Sequence, residues 1–297
     1  MEVGVIAIVG PTASGKTAAA LAVAQRYNGE IVSADSMQIY RGMDIGTAKA
    51  TPQERALVPH HMLDVAEPDQ PYTTAQYAQG AGAAIADILA RGKLPILCGG
   101  TGLYLEAALY EMEMGVAPDP AFRQRMEALG NAQLHDRLVQ VDPISAARIH
   151  PNDRKRVIRA LEIQAQTGRP ASTQGQGFRQ GRQPRYRFLE LALELPREAL
   201  YERIDRRVDQ MLQQGLLDEV RRFQPYDRSL PALQGIGYKE MLAHLDGRCT
   251  LAEAVAAVKQ ASRRYAKRQL TWFRRDPAVE WTDDMNTVHK KIVAFLE

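Results

Sequence analysis

Gly10-Pro11-Thr12-Ala13-Ser14-Gly15-Lys16-Thr17 follows an apolar run, Val3–Val9, and opens into an Ala-rich segment, Ala18–Tyr27. Strand, Gly-rich turn and helix in that order give the G-x-x-x-x-G-K-[ST] spacing of a phosphate-cradling P-loop. Gly10 and Gly15 let backbone N–H groups approach an anion with no Cβ in the way. Lys16 adds a positive charge, the helix N-terminus adds its dipole, and the Thr17 hydroxyl can bind a magnesium ion. A strand that is apolar at every position is one buried on both faces, so the motif demands a parallel sheet covered by helices. The segment therefore predicts a polyphosphate site and leaves its occupant open.

At 297 residues the chain can form one large or two moderate domains. Hydrophobic residues make up 45% and charged residues 25%, which disfavours disordered and membrane classes. No apolar run approaches a spanning length, and Met1–Val9 lacks the basic start and cleavage site of a secretory leader. Cys98 and Cys249 lie far apart, which suits a reducing cytoplasm, and no Cys/His cluster has zinc spacing. The net charge of +3 hides an uneven distribution. Arg123–Arg187 holds thirteen Arg/Lys against five Asp/Glu, and Lys259–Arg275 holds seven basic residues and no acidic one. Two basic patches on a nearly neutral chain point to a polyanion larger than one nucleotide, with a solvated basic face as the alternative.

Along the chain, strands are predicted at Glu30–Ala34 and Leu94–Cys98, with a long loop from the former through Asp69 and a helix over Thr74–Arg91. Alternating strands and helices predict a P-loop NTPase-like, three-layer α/β core around a parallel sheet. From about Gly115 the pattern turns helical and basic: Asp119–Leu129, Ala132–Gln140, Pro143–Ile149 and Asp153–Thr167, then a Gly/Gln/Arg-rich loop over 171–184. We read residues 115–185 as an all-α insertion domain, and residues 1–114 and 186–297 as the core. Tyr186–Leu195 alternates as a strand, followed by helices over Arg197–Gln214, Leu216–Phe223, Tyr238–Leu245 and Leu251–Arg275.

Asp35 ends the second strand, and in open α/β sheets ligands sit beyond the carboxyl ends of strands. It can act as a general base, a magnesium ligand or a cap for the following turn. The third strand ends in Cys98 and Gly99-Gly100-Thr101-Gly102, where an ATP-hydrolysing motor carries an acidic residue for magnesium and water. That weakens nucleotide hydrolysis as the function; Thr101 can also simply cap the next helix. His60 and His61 are adjacent and have no partner at metal-site spacing, so a structural loop role is expected. Trp272 and Phe273 are expected to anchor the last helix in the core.

Taken together the motifs resemble the bacterial tRNA dimethylallyltransferase (tRNA isopentenyltransferase) family over nearly the whole chain. The resemblance rests on Gly10–Thr17, Asp35-Ser36-Met37-Gln38, Gly42–Lys49, His60–Asp64, Gly99–Tyr104, Asp142-Pro143, Ala146–Asp153, Arg156 with Arg159–Glu162, Gly235–Glu240 and Ala266–Trp272. It implies transfer of a five-carbon allyl group from dimethylallyl diphosphate to N6 of the adenine 3′ of the anticodon. The P-loop would then cradle the diphosphate of the allylic donor, with Lys16, the loop amides and Mg2+ on Thr17 stabilising it as it leaves. Arg203 and Arg207, one helical turn apart, match basic positions that the family brings to the diphosphate. The resemblance assigns the base to Asp35, a residue type already ionised at neutral pH, and puts Thr101 near the same adenine.

The target base must leave its stack in the anticodon loop, and phosphate contacts hold the register while it does. Arg123, Lys155, Arg156 and Arg159 are the candidates to grip the anticodon stem-loop, while Ser36, Met37 and Gln38 face its bases. A cytoplasmic monomer with tRNA and dimethylallyl diphosphate as partners, and no membrane contact, is the expected working state. The zinc finger that some eukaryotic relatives append has no counterpart in the Cys/His pattern. The rival readings are a P-loop small-molecule kinase of the shikimate or gluconate type, which is usually much shorter, and a non-catalytic RNA-binding protein switched by a nucleotide.

Overall fold

The structure, a computed structural model, describes residues 4–111, 116–173 and 182–297. The chain divides into two compact units, one formed by 1–111 with 183–297 and the other by 112–182. In the first unit β1 (Val5–Val9) leads through the Gly-rich turn into α1 (Lys16–Arg26), followed by β2 (Gly29–Ala34). The stretch expected to be one long loop contains α2 (Pro52–Leu57) and a two-residue strand, β3 (His60–His61). Thr51 caps α2 reciprocally with Glu54, and Pro52 suits its first turn. Then come α3 (Thr74–Ala90), β4 (Leu94–Gly99) and α4 (Gly102–Leu109).

The second unit is helical throughout its described residues: α5 (Pro120–Glu127), α6 (Asn131–Val141), α7 (Pro143–Arg148) and α8 (Arg154–Thr167). Its own core joins Met126, Leu134, Leu138, Val157, Ile158 and Leu161. Asp119, Asp142 and Asp153 each accept a backbone N–H at the start of a helix, so three of the four are capped by an aspartate. Most of the Gly/Gln/Arg-rich loop expected over 171–184, and the start of the insertion near Gly115, lie outside the described residues.

The first unit resumes with β5 (Phe188–Leu193), α9 (Arg197–Gln213), α10 (Leu216–Arg221), α11 (Tyr238–Leu245) and α12 (Leu251–Phe273). It closes with β6 (Glu280–Thr282) and α13 (Met285–Leu296), two elements beyond the last helix read from sequence. The strands form a six-stranded sheet in the order β3-β2-β4-β1-β5-β6, and every pair is parallel. β1 lies inside it, pairing Ile8 with both Cys98 and Leu191, and all five of its residues are fully buried. Because all strands point the same way, the turns after β1, β2 and β4 emerge along one edge of the sheet. That edge brings together Gly10–Thr17, Asp35 and Gly100–Thr101.

Trp272 is half-buried and Phe273 fully buried, in line with an anchoring role at the end of α12. No helix among the described residues is long and apolar enough to cross a membrane.

Candidate active site

The turn after β1 is bent for anion binding. Gly10 and Gly15 have φ of 143° and 96°, and Ala13 adopts φ 65° in the left-handed region. The Ser14 N–H closes the bend on the Pro11 carbonyl at 3.2 Å, and Lys16 reaches the same carbonyl through Nζ at 3.2 Å. The Ser14 hydroxyl is buried and has no hydrogen-bond partner among the described residues.

Asp35 follows β2 directly. Its Oδ1 accepts the Met37 N–H at 2.9 Å, so it does cap its own turn, as one of the sequence alternatives held. Thr101, at the start of α4, does not cap that helix with its side chain. Its Oγ1 instead accepts the Ser36 N–H at 3.1 Å and ties the turn after β4 to the turn after β2.

Three cavities open along this edge of the first unit. One of about 60 Å3 is lined by Lys16, Thr17, Asp35, Gln38, His60 and Cys98, among others. A second of about 330 Å3 has Asp35, Ser36 and Met37 on one side and Ile204, Val208 and Met211 of α9 on another. A third of about 880 Å3 takes in Ala13, Gly15, Lys16, Thr17, Arg203 and Lys49. Arg207 lines all three. The spacing of Ile204, Arg207, Val208 and Met211 puts an apolar stripe and a cation on one face of α9. Arg203, one turn away, reaches only the third cavity and is exposed.

The charges at this junction are out of balance in a way that suits an anion. Burial pulls the Lys16 ammonium below the ordinary lysine value, with Arg207 pulling in the same direction and Cys98 and Asp35 opposing. Burial likewise lowers Arg207, and Asp35 supports its charge. Two partly dehydrated cations share one carboxylate, so a bound polyanion would be strongly stabilised. Cys98, beside Lys16, is pushed up to about 11 by burial and stays a neutral thiol at neutral pH.

The remaining motifs shape the walls. Gln38 accepts from the Ser33 hydroxyl at 2.9 Å and donates to the carbonyls of Thr47 and Ala48, so its amide holds neighbouring backbone. Glu219 accepts the N–H groups of Asp44, Ile45 and Gly46 and the Tyr238 hydroxyl, which pins the loop beside the cavities. His61 joins Arg91 and Lys93 around the buried Glu30, a structural role. His60 donates from Nδ1 to the Val58 carbonyl at 2.8 Å and lines the smallest cavity.

Sequence reasoning gave no site role to Tyr265 of α12, nor to Arg268 and Gln269, which it held only as part of the motif Ala266–Trp272. Tyr265 lines the two smaller cavities, Arg268 the second and Gln269 the smallest. The basic run over Lys259–Arg275 flagged this helix for its charge. Part of that charge is internal, since Lys259, Arg263 and Arg274 pair with Asp209, Asp205 and Glu194.

In the helical unit, Arg123 and Arg159 converge on Glu162, whose side chain is fully buried. Lys155 and Arg156 project outward; the Arg156 side chain is 74% exposed, with Nε 3.4 Å from the Asp153 carboxylate. The four cations grouped in sequence therefore fall into two structural and two surface residues.

Comparison with known proteins places the whole chain. The family model described as IPP transferase matches residues 38–276, and one described as isopentenyl transferase matches residues 3–66. A tRNA dimethylallyltransferase of Geobacillus thermodenitrificans is 51% identical over 287 residues, covering 94% of this chain and 90% of its own. Another, from Carboxydothermus hydrogenoformans, is 45% identical, covering 98% and 96%. The crystal structure of the full-length tRNA isopentenylpyrophosphate transferase from Bacillus halodurans superposes with a TM-score of 0.73 at 44% identity, over 99% of this chain and 96% of that one. A eukaryotic dimethylallyltransferase acting on tRNA gives a TM-score of 0.77 at 33% identity, over 91% of this chain and 69% of its own.

Proposed function

The chain belongs to the IPP transferase family, and from that membership we propose that it transfers the dimethylallyl group of dimethylallyl diphosphate to tRNA, at N6 of the adenine immediately 3′ of the anticodon, with release of diphosphate. The observation that carries the reading is the shared cavity of Asp35, Lys16, Thr17 and Arg207, a carboxylate facing a phosphate cradle. Family membership also favours transfer over the small-molecule kinase alternative.

The diphosphate lies in the turn Gly10–Thr17, against the backbone amides not committed to Gln269 and Pro11, with Lys16 and Arg207 supplying charge and Arg203 standing at the outer rim. The buried, unpartnered Ser14 hydroxyl supports an anion at this turn. As the C1–O bond of the donor breaks, its electron pair goes to the diphosphate, where negative charge grows. The two cations, poorly hydrated beforehand, stabilise that state most. N6 of the adenine forms the new bond to C1, and Asp35 takes the proton that N6 gives up. The apolar stripe of α9 suits the five-carbon group, and Ser36, Met37 and Thr101 flank the base.

Magnesium fits the donor set. The Thr17 hydroxyl and Asp35 carboxylate are hard oxygen donors on one cavity wall, the chemistry this ion takes. Among the described residues no three His, Cys, Asp or Glu side chains form a metal cage. Thr17 would hold the ion, and when bound it neutralises charge on the departing diphosphate.

The stem-loop is gripped through phosphates by Lys155 and Arg156, while Arg123 and Arg159 keep the helical unit folded. A tRNA substrate supports a cytoplasmic site of action, where we propose the chain works as a monomer.

Incubation with labelled dimethylallyl diphosphate and an anticodon stem-loop, followed by nucleoside analysis, tests the reaction; recovery of unmodified adenosine alone would refute it. Asp35→Ala is expected to lower turnover by about 10²–10⁴-fold with stem-loop affinity changed by no more than a few-fold. Turnover close to wild type in that variant would remove Asp35 from the role of base.

A further inference from the structure

Gln269 joins two loops that the reaction needs in register. It sits on α12 with 4% of its surface exposed. Its Oε1 accepts the N–H of Thr12 at 2.8 Å, and its Nε2 donates to the carbonyl of Gly100 at 2.9 Å. Thr12 belongs to the phosphate-binding turn after β1. Gly100 begins the turn after β4, and the next residue, Thr101, holds the backbone of Ser36 beside Asp35. Tyr265, one helical turn earlier on α12, lines the smallest cavity together with Gln269 and Asp35.

The fit is close. A Cβ built at Gly100 would lie 2.0 Å from Gln269 Nε2, so the amide fills space that any other residue at 100 would need. A carboxamide carries an acceptor and two donors on one rigid plane. It can therefore satisfy an N–H on one side and a carbonyl on the other, which a carboxylate or an ammonium cannot. The bond to Thr12 commits that amide to the scaffold, as the Pro11 carbonyl does the Ser14 amide.

We propose that Gln269 is a positioning residue that sets the separation between the diphosphate cradle and the Asp35 end of the site, so that leaving group, C1 and N6 come into line. The proposal rests on the prenyl-transfer reading of this site. Gln269 contributes no proton and touches no reacting atom; it acts through Thr12 and through the Gly100–Thr101–Ser36 connection. Misplacing reacting groups by about 1 Å can cost on the order of 10²-fold in rate. Loss of a position-setting bridge should therefore appear in kcat before it appears in substrate affinity.

Two variants of the full chain separate the roles. Gln269→Met keeps length and volume but makes neither hydrogen bond. Gln269→Glu keeps the acceptor for Thr12 and sets a second oxygen against the Gly100 carbonyl. Turnover is measured with dimethylallyl diphosphate and an anticodon stem-loop below the melting temperature of each variant, with near-ultraviolet circular dichroism reporting the fold. The expected result is a folded Met variant with kcat lowered about 10²-fold, KM for the diphosphate and Kd for the stem-loop within threefold of wild type, and the Glu variant between the two. A Met variant with kcat within twofold of wild type would overturn the proposal. So would a loss confined to KM or Kd for one substrate, which marks a binding contact. Loss of the folded signal in both variants would make Gln269 a scaffold residue only, and would also overturn it. Wild-type protein without turnover would instead overturn the prenyl-transfer reading.

Discussion

Lys49 brings a positive charge into a place almost closed to water, its side chain 1% exposed, and spends it on three oxygens. Nζ lies 2.7 Å from the Tyr40 carbonyl, 2.7 Å from Asp44 and 2.6 Å from Asp64. These partners come from both ends of the loop that follows Asp35, so one ammonium closes it beside the cavities. Removing the ammonium leaves the Tyr40 carbonyl without it, while the Asp44 side chain is 60% exposed and Asp64 keeps Arg55, so the cost is that of a lost charged hydrogen bond, about 1–3 kcal/mol. Lys49→Met is expected to lose that much stability in denaturant unfolding; a midpoint unchanged from wild type would show the loop is held by its other contacts. Residues of this kind differ in how readily a sequence shows them. Lys16, Thr17 and Asp35 were legible because their roles follow from place: after a buried strand, at the edge where parallel strands end. Gln269 was not. It stands in a 23-residue helix, inside a motif that marked the family but assigned it no role, and its partners are 257 and 169 positions away. Arg123 and Arg159 were legible as cations but not as occupants of a buried clasp, since nothing local says that Glu162 is inside.

That clasp determines how the helical unit responds to acid. Glu162 on α8 receives Arg123, Arg159 and the backbone N–H of Asp119, linking α8 to the start of α5. Burial alone would raise the carboxyl; the two guanidiniums and the N–H outweigh it and hold it at about 2, against a usual 4.5. A folded value below the unfolded one gives stability that is fully present above about 4.5 and lost as pH falls toward 2. The difference corresponds to on the order of 3 kcal/mol. Urea unfolding of the wild type is expected to weaken over that window, and Glu162→Gln should be less stable at neutral pH with a flatter acid limb. Parallel acid limbs would remove Glu162 from the account. Most elements read from sequence stand within a residue or two of the observed ones, α11 among them, because period, caps and breakers agreed there. The elements not read were α2, the short strands β3 and β6, and the twelve-residue α13. β3 has two residues and exists only because Ile31 and Val32 offer it an edge, and β6 depends on β5 in the same way. A strand made by its neighbour has no pattern of its own.

At the scale of the molecule, a near-neutral chain sorts its charge by unit. The reacting groups lie in the unit formed by 1–111 and 183–297, and the outward cations Lys155 and Arg156 lie in the other. Reversing both charges is expected to weaken stem-loop binding and to lower the slope of log affinity against log salt by about one per lost phosphate contact. Turnover at saturating stem-loop should stay within about threefold, a small change in barrier height. An unchanged salt slope would exclude these residues as the grip. The discontinuity of the larger unit also bears on how the protein is made. β1 pairs with β4 on one side and with β5 on the other, Val5 meeting Phe188. Between β4 and β5 the ribosome must translate the whole helical unit, whose core residues are all local. That unit can close early in synthesis, as domains generally do. The central strand cannot: its first five apolar residues wait with an open edge for a partner still untranslated, the state in which nascent chains most need a chaperone.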